Sequence, residues 1–123
     1  MLLYVEDDVL IQDGVVAALC AAGYQVLVAD DAQQARRQIA AHGAELGVLV
    51  TDINLGDGPD GWQVAREARA QFATLPIVYV SAASEHHWAS MGVPGSVMIA
   101  KPFATAEVVG AISSLLAAGA THD

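Results

Sequence analysis

Hydrophobic positions along this chain follow two alternating rhythms. Short runs rich in Val, Ile and Leu, almost unbroken by polar residues, occupy positions 2–5, 24–29, 46–50, 77–80 and 97–100. Runs of that length and composition predict strands buried on both faces. Between them, apolar residues recur with helical spacing. Ile11, Val15 and Leu19 fall at i, i+4 and i+8, with Gly23 as the stop. Ala32, Ala35 and Ile39 repeat the pattern and Gly43 closes it. Asp60 can cap a third helix carrying Ala65, Ala68 and Phe72, and Thr105 a last one carrying Val108, Ile112 and Leu115. A further helix around 85–91 must be short, because Gly92, Pro94 and Gly95 follow at once.

Five strands alternating with five helices specify an α/β fold with a doubly wound parallel sheet covered on both faces. Right-handed crossovers leave few topologies, and the flavodoxin-like order 2-1-3-4-5 fits best. In such sheets ligands sit beyond the carboxyl ends of the strands.

Composition narrows the reading. The 123 residues, 54% of them hydrophobic, suit one packed domain over 1–123. No apolar run approaches the roughly 18–20 residues of a membrane span, and no leader opens the sequence, so a cytoplasmic protein without membrane insertion is expected. Cys20 is the only cysteine, which excludes a disulfide framework, and its apolar neighbours predict a buried thiol. Fourteen acidic residues against five basic ones give a net charge of −9. Arg36, Arg37, Arg66 and Arg69 are expected on exposed helix faces, and Lys101 is the only lysine. A nucleic-acid interface, which needs clustered Lys and Arg, is not expected.

The ends of the strands carry the chemistry. The first run closes with Glu6-Asp7-Asp8, the third with Thr51-Asp52, the fourth with Ser81 and the fifth with Lys101. The predicted topology brings them to one rim. Clustered carboxylates repel unless a cation lies between them, and hard oxygen donors suit Mg²⁺. A nearby lysine would lower the carboxylate pKa values and could hold a phosphoryl oxygen as a point charge. A serine hydroxyl can donate to a second oxygen. These parts compose a phosphoryl-transfer site with a carboxylate nucleophile. Asp52 is the best candidate, because it ends the central strand and precedes a Gly-Asp-Gly loop. Taken singly, each feature has a plain structural reading; Asp8, for example, can serve only as a helix cap.

Leu2-Leu3-Tyr4-Val5-Glu6-Asp7-Asp8, Thr51-Asp52-Ile53-Asn54-Leu55, Val78-Tyr79-Val80-Ser81-Ala82 and Lys101-Pro102-Phe103 together resemble the response-regulator receiver (CheY-like) domain of two-component signalling, over essentially the whole chain. The resemblance implies that Asp52 accepts a phosphoryl group from a sensor histidine kinase or phosphotransfer protein. It implies that Asp7 and Asp52 contact Mg²⁺ (or Mn²⁺) directly, with Glu6 acting through water and the backbone carbonyl of Asn54 completing the set. Ser81 and Lys101 would bind the phosphoryl oxygens, the Lys101–Pro102 bond would be cis, and the acyl phosphate would hydrolyse slowly. Phosphorylation would then control a downstream protein target rather than drive turnover as an enzyme.

Three features depart from the family pattern. Met98 stands where the fifth strand ordinarily carries Tyr or Phe, the segment after Ser81 implies a truncated fourth helix followed by a long loop, and the loop 55–61 looks expanded. Two other functions compete with this one. A haloacid-dehalogenase-type phosphatase also forms an aspartyl phosphate, but needs a second Asp two residues on, where Asn54 stands, and a cap domain too large for this length. A phosphorylation-independent interaction module would not need every group of the site. His86-His87 diverge on a helix and do not suggest a metal site. Trp62 and Trp88 read as packing residues, with Trp88 a possible partner anchor. The chain's limits fit either a free-standing receiver or one from a larger regulator.

Overall fold

The computed structural model describes residues 1–56, 58–82 and 87–120, with side chains described as far as 117. Five strands, β1 (Leu2–Val5), β2 (Val26–Ala29), β3 (Val48–Asp52), β4 (Ile77–Ser81) and β5 (Val97–Ala100), form one parallel sheet in the order β2-β1-β3-β4-β5. The helices are α1 (Val9–Ala21), α2 (Ala32–His42), α3 (Gly61–Gln71), α4 (Trp88–Met91) and α5 (Thr105–Ala120), with a 3-10 turn at Gly43–Glu45. The alternation and strand order are those the hydrophobic rhythm predicts.

Side chains alternate across the pleat and divide the core in two. Leu2, Tyr4, Val48, Val50, Val78 and Val80 point to the side covered by α1 and α5. Leu3, Val5, Leu49, Ile77 and Tyr79 point to the side covered by α2 and α3. β1, β3 and β4 are buried along their whole length, whereas β2 and β5, at the edges, are partly exposed. Full burial on both faces thus belongs to the central strands. Trp62 and Tyr79 meet within the second layer at a ring separation of 4.7 Å.

The Asp8 carboxylate caps α1 by accepting from the Leu10 and Ile11 amides, and Asp31 and Asp60 cap α2 and α3. The chain leaves α1 through Gly23 at φ +95°, a left-handed position suited to glycine.

Several expectations need correction. Thr105 does not cap α5 but is its first residue; the end is closed instead by the Glu107 carboxylate, which accepts the Ala104 N–H at 3.2 Å. Gly43 closes α2 as expected, though not through a left-handed turn: it caps the helix at φ −53° and leads into the 3-10 turn, and a Cβ there would overlap the Phe72 ring. Cys20 is exposed, because α1 buries Gln12, Val15 and Leu19 and turns Cys20 outward. Arg69 is partly buried, donating to the carbonyls of Leu75 and Pro94 at 2.7 Å each, while Arg36, Arg37 and Arg66 are exposed as expected. The short fourth helix begins at Trp88; positions 85 and 86 of its expected span lie outside the described residues.

Two glycines separate close packing from open space. A Cβ at Gly61 would collide with the backbone of Asp52 and Ile53, whereas one at Gly110, on α5, meets nothing within 4 Å. Gly61→Ala is therefore expected to destabilise the domain by about 1–3 kcal/mol through overpacking. Gly110→Ala should stabilise it by about 0.5–1 kcal/mol by improving helix propensity. Urea unfolding midpoints at constant m-value will measure both.

Candidate functional site

At the carboxyl end of the sheet, β1 and β3 lie side by side, with Val5 opposite Thr51. The residue after β1, Glu6, and the last residue of β3, Asp52, are therefore neighbours although far apart in sequence. Glu6 is fully buried, Asp52 is 5% exposed, and Asp7 is exposed at the mouth. One carboxylate oxygen from each of the three lies within 4.8 Å of the others.

The cation that balances them enters from β5. The Lys101 Nζ is 2.8 Å from Asp52 Oδ2 and reaches both oxygens of Glu6, at 3.1 Å to Oε1 and 3.2 Å to Oε2. Its N–H donates to the Ser81 carbonyl at 2.7 Å, joining the ends of β4 and β5. The Lys101–Pro102 peptide is cis, as the resemblance implied. Ser81 closes β4 with full burial, one strand beyond Asp52. Asn54 contributes through its backbone, its N–H donating to Asp52 Oδ1 at 3.2 Å. Thus Glu6, Asp7, Asp52 and Lys101 converge, Asn54 touches Asp52, and Ser81 adjoins Lys101.

Electrostatics depart from expectation at one point. Lysine does not lower the Glu6 pKa below its usual value; burial, reinforced by the Asp52 carboxylate, pushes it up to about 7 in spite of Lys101. Burial pulls the Lys101 ammonium down, but the Asp52 and Glu6 carboxylates outweigh it and its pKa is raised. A desolvated carboxylate facing another carboxylate is penalised more than one lysine, shared between two acids, relieves.

Two residues that sequence reasoning passed over support the acidic turn. The Tyr4 hydroxyl, buried inside β1, donates to Glu6 Oε1 at 3.1 Å. The Gln12 amide, buried on α1, donates to the Glu6 carbonyl at 3.0 Å and to Asp30 Oδ1 at 2.9 Å. Both carried a signal. Tyr4 lies two residues before Glu6, hence on the same face of the strand, and a buried tyrosine hydroxyl needs a partner. Gln12 is a polar residue on the buried stripe of a largely apolar helix.

Beside the acidic pocket lies an apolar groove of about 440 Å³, walled by Leu10, Ile11 and Val15 of α1 and by Pro102 and Phe103 beyond β5. Leu10 is 85% exposed at its rim. His87 precedes α4, and His86 lies outside the described residues.

Comparison with known proteins agrees with this geometry. The sequence profile of the response regulator receiver domain matches residues 2–113, and the chain belongs to that family. A response regulator receiver protein from Sinorhizobium medicae superposes with a TM-score of 0.89 at 38% identity, covering 95% of this chain and 94% of the other. The phyllosphere-induced regulator PhyR of Methylorubrum extorquens is 27% identical over 115 residues, 94% of this chain and 43% of that protein. The chain spans about half the length of the curated relatives it matches. The fold is shared with the response regulator TrrA of Thermotoga maritima, solved in complex with Mg²⁺–BeF (TM-score 0.81, 21% identity, covering 93% of this chain and 96% of that one). Among the described residues no helix is long and apolar enough to cross a membrane.

The buried charges make a stability prediction for the metal-free protein at pH 8. Lys101→Met leaves two buried carboxylates without their cation and should cost on the order of 3 kcal/mol. Asp52→Asn removes the repulsion on Glu6 and should not destabilise. The folded-state pKa of Glu6 is raised, so its contribution to stability is present at low pH and lost as pH rises through about 7. The advantage of Asp52→Asn over the native sequence should therefore shrink between pH 8 and pH 5.5, read by urea unfolding in EDTA.

Proposed function

We propose that this chain acts as a phosphoacceptor receiver, taking a phosphoryl group from a histidine kinase or phosphotransfer protein onto Asp52. The observation that carries the reading is the contact of the Lys101 ammonium with both Asp52 and Glu6 at the carboxyl end of the sheet. Residues 1–123 would work as one receiver unit, in the cytoplasm, whatever else the whole protein contains.

In the transfer, an Asp52 carboxylate oxygen attacks phosphorus and a new O–P bond forms as the P–N bond of the donor phosphohistidine breaks. The electron pair of that bond stays on the imidazole nitrogen, which then takes a proton. Lys101 and the Ser81 hydroxyl would bind the phosphoryl oxygens. Glu6, Asp7 and Asp52, with the Asn54 carbonyl, offer the hard oxygen donors that suit Mg²⁺, and the Mg²⁺–BeF complex of TrrA supports that choice. When bound, the ion neutralises charge that develops on the transferring group. Water later attacks phosphorus, the bond to Asp52 breaks, and the carboxylate and inorganic phosphate are released. The apolar groove beside Lys101 is a surface at which the donor protein would dock.

Incubation with acetyl phosphate and Mg²⁺ should add one phosphoryl group (80 Da would be the order of the mass gain, as about one PO₃ unit) and the label should vanish in Asp52→Asn. Labelling of that variant at the native rate overturns the assignment. Asp7→Ala should abolish labelling while retaining the fold.

The output route is proposed to run through the segment from Ser81 to Lys101 without rotation of an aromatic ring. Met98, packed against the α2–α3 side of the core, is unbranched and adapts to a shifted neighbour. Amide exchange or backbone chemical shifts with and without beryllofluoride should change mainly over 82–96, around Trp88. Changes confined to the loop after Asp52 would overturn this route.

A further inference from the structure

Gln12 is a buried polar side chain on a largely apolar helix, and no step of phosphoryl transfer uses it. Its two nitrogens both serve the acidic turn. The backbone N–H donates to the Asp8 carbonyl at 2.9 Å, the first bond of α1. The side-chain amide reaches back along the chain and donates to the Glu6 carbonyl at 3.0 Å. One residue thus grips the chain on both sides of Asp7. The grip has a fixed sense. The amide also donates to Asp30 Oδ1 at 2.9 Å, and a carbonyl and a carboxylate can only accept, so the nitrogen end must face them. Asp30, just beyond β2, is steadied in turn by its own N–H, which donates to Gln34 Oε1 at 3.0 Å.

Asp7 needs such a hold. It is exposed at the mouth, and no hydrogen bond among the described residues reaches its carboxylate. One of its oxygens nonetheless lies within 4.8 Å of one from Glu6 and one from Asp52, where like charges push an exposed side chain outward. Its place is therefore set through the backbone. After it, the Asp8 carboxylate is fixed on the Leu10 and Ile11 amides. Before it, the Glu6 N–H is fixed on the Ala29 carbonyl at 3.0 Å. The Glu6 carbonyl belongs to the planar peptide that leads into Asp7, so the Gln12 amide fixes the direction in which Asp7 leaves β1. A lysine or arginine could donate there too, but would set a positive charge against an incoming cation. We propose that Gln12 is a positioning residue for Asp7: by holding the Glu6–Asp7 peptide it keeps the Asp7 carboxylate turned toward Glu6 and Asp52, as a hard divalent cation requires. The inference rests on the reading of Asp7 and Asp52 as ligands of that cation.

Gln12→Met keeps an unbranched side chain suited to a buried helix position and removes both side-chain donors. Titration of the intact chain with Mg²⁺, without any phosphoryl donor and followed by calorimetry or backbone chemical shifts, should show an affinity at least about fivefold weaker, the worth of roughly one hydrogen bond. With acetyl phosphate present, the Mg²⁺ concentration giving half-maximal labelling should rise by the same factor, while the rate at saturating Mg²⁺ falls less. A merely structural glutamine would lower the urea midpoint and leave the affinity of the folded chain where it stands. Native affinity in Gln12→Met therefore overturns the inference, whatever the stability. So does a loss confined to the saturated rate. Gln12→Glu keeps the native shape but presents an acceptor to the Glu6 carbonyl. Binding should weaken there as well, although negative charge added near a cation would by itself strengthen it; tighter binding in Gln12→Glu overturns the inference. Should either variant fold poorly, the Gly110→Ala background supplies reserve stability at a site remote from the pocket. Asp7→Ala separates the two readings. If it binds Mg²⁺ as the native chain does, the metal site itself is misassigned; if it loses Mg²⁺ while Gln12→Met keeps the native affinity, only the role of Gln12 fails.

Discussion

One ammonium group between two buried carboxylates is the constraint on which this end of the molecule depends. Glu6 and Asp52 are held together by backbone pairing of β1 and β3, not by attraction between them. In a site mostly shielded from water their repulsion is strong, and a single lysine from β5 partly balances it. The balance is incomplete, as the elevated pKa of Glu6 shows. An arrangement with surplus negative charge, ringed by fixed donors and open at Asp7, is disposed to take up a further cation. Under the proposed phosphoacceptor role, the stability given up there would be the counterpart of reactivity.

The topology explains why such a site can be assembled from residues so far apart. Parallel strands all end on the same edge, so a polar residue placed immediately after each apolar run is delivered to one rim. That is why most of the site was legible in the chain. Glu6, Asp52, Ser81 and Lys101 are each found where a hydrophobic run stops, and the runs were readable because the three central strands are buried on both faces. Legibility declined where a residue's role depends on contacts across elements. The exposure of Cys20 follows from which stripe of a nearly all-apolar helix meets the sheet, and periodicity cannot choose among equivalent stripes. Burial of Gly43 depends on the Phe72 ring, which arrives from the end of α3. The direction of the Glu6 shift was misjudged because charge partners can be counted in a sequence while desolvation cannot.

Tyr4 and Gln12 illustrate a subtler limit. Tyr4 lies in a strand that pattern reading assigns to the core and Gln12 beside the stripe it assigns to α1, and both are buried. Their polar atoms are what matters, and those atoms converge on Glu6 from a strand and a helix. Among the described residues no buried side-chain nitrogen or oxygen lacks a partner, so a buried polar group in this core marks a connection rather than a defect.

The face beyond β4 follows a similar logic with less regular structure. α4 is a single turn, too short to cover the sheet as α3 does, and the chain from Gly92 to Ser96 takes over part of that work. Side chains from three elements hold it. The Tyr79 hydroxyl accepts the Val93 N–H at 3.1 Å, Arg69 reaches the Pro94 carbonyl, and the Trp88 indole N–H donates to Ser96 Oγ at 2.9 Å. The Trp88 ring lies across Gly92, where any Cβ would strike it. A helix holds its shape through its own backbone bonds, whereas this segment is held by bonds to its neighbours. Displacement of β4 or β5 at the acidic pocket would therefore act directly on its anchors. Tyr79 sits two residues before Ser81 and pairs with Met98, three residues before Lys101, so Ser81, Lys101 and the Tyr79 anchor of the loop are carried by the same two neighbouring strands or their immediate ends.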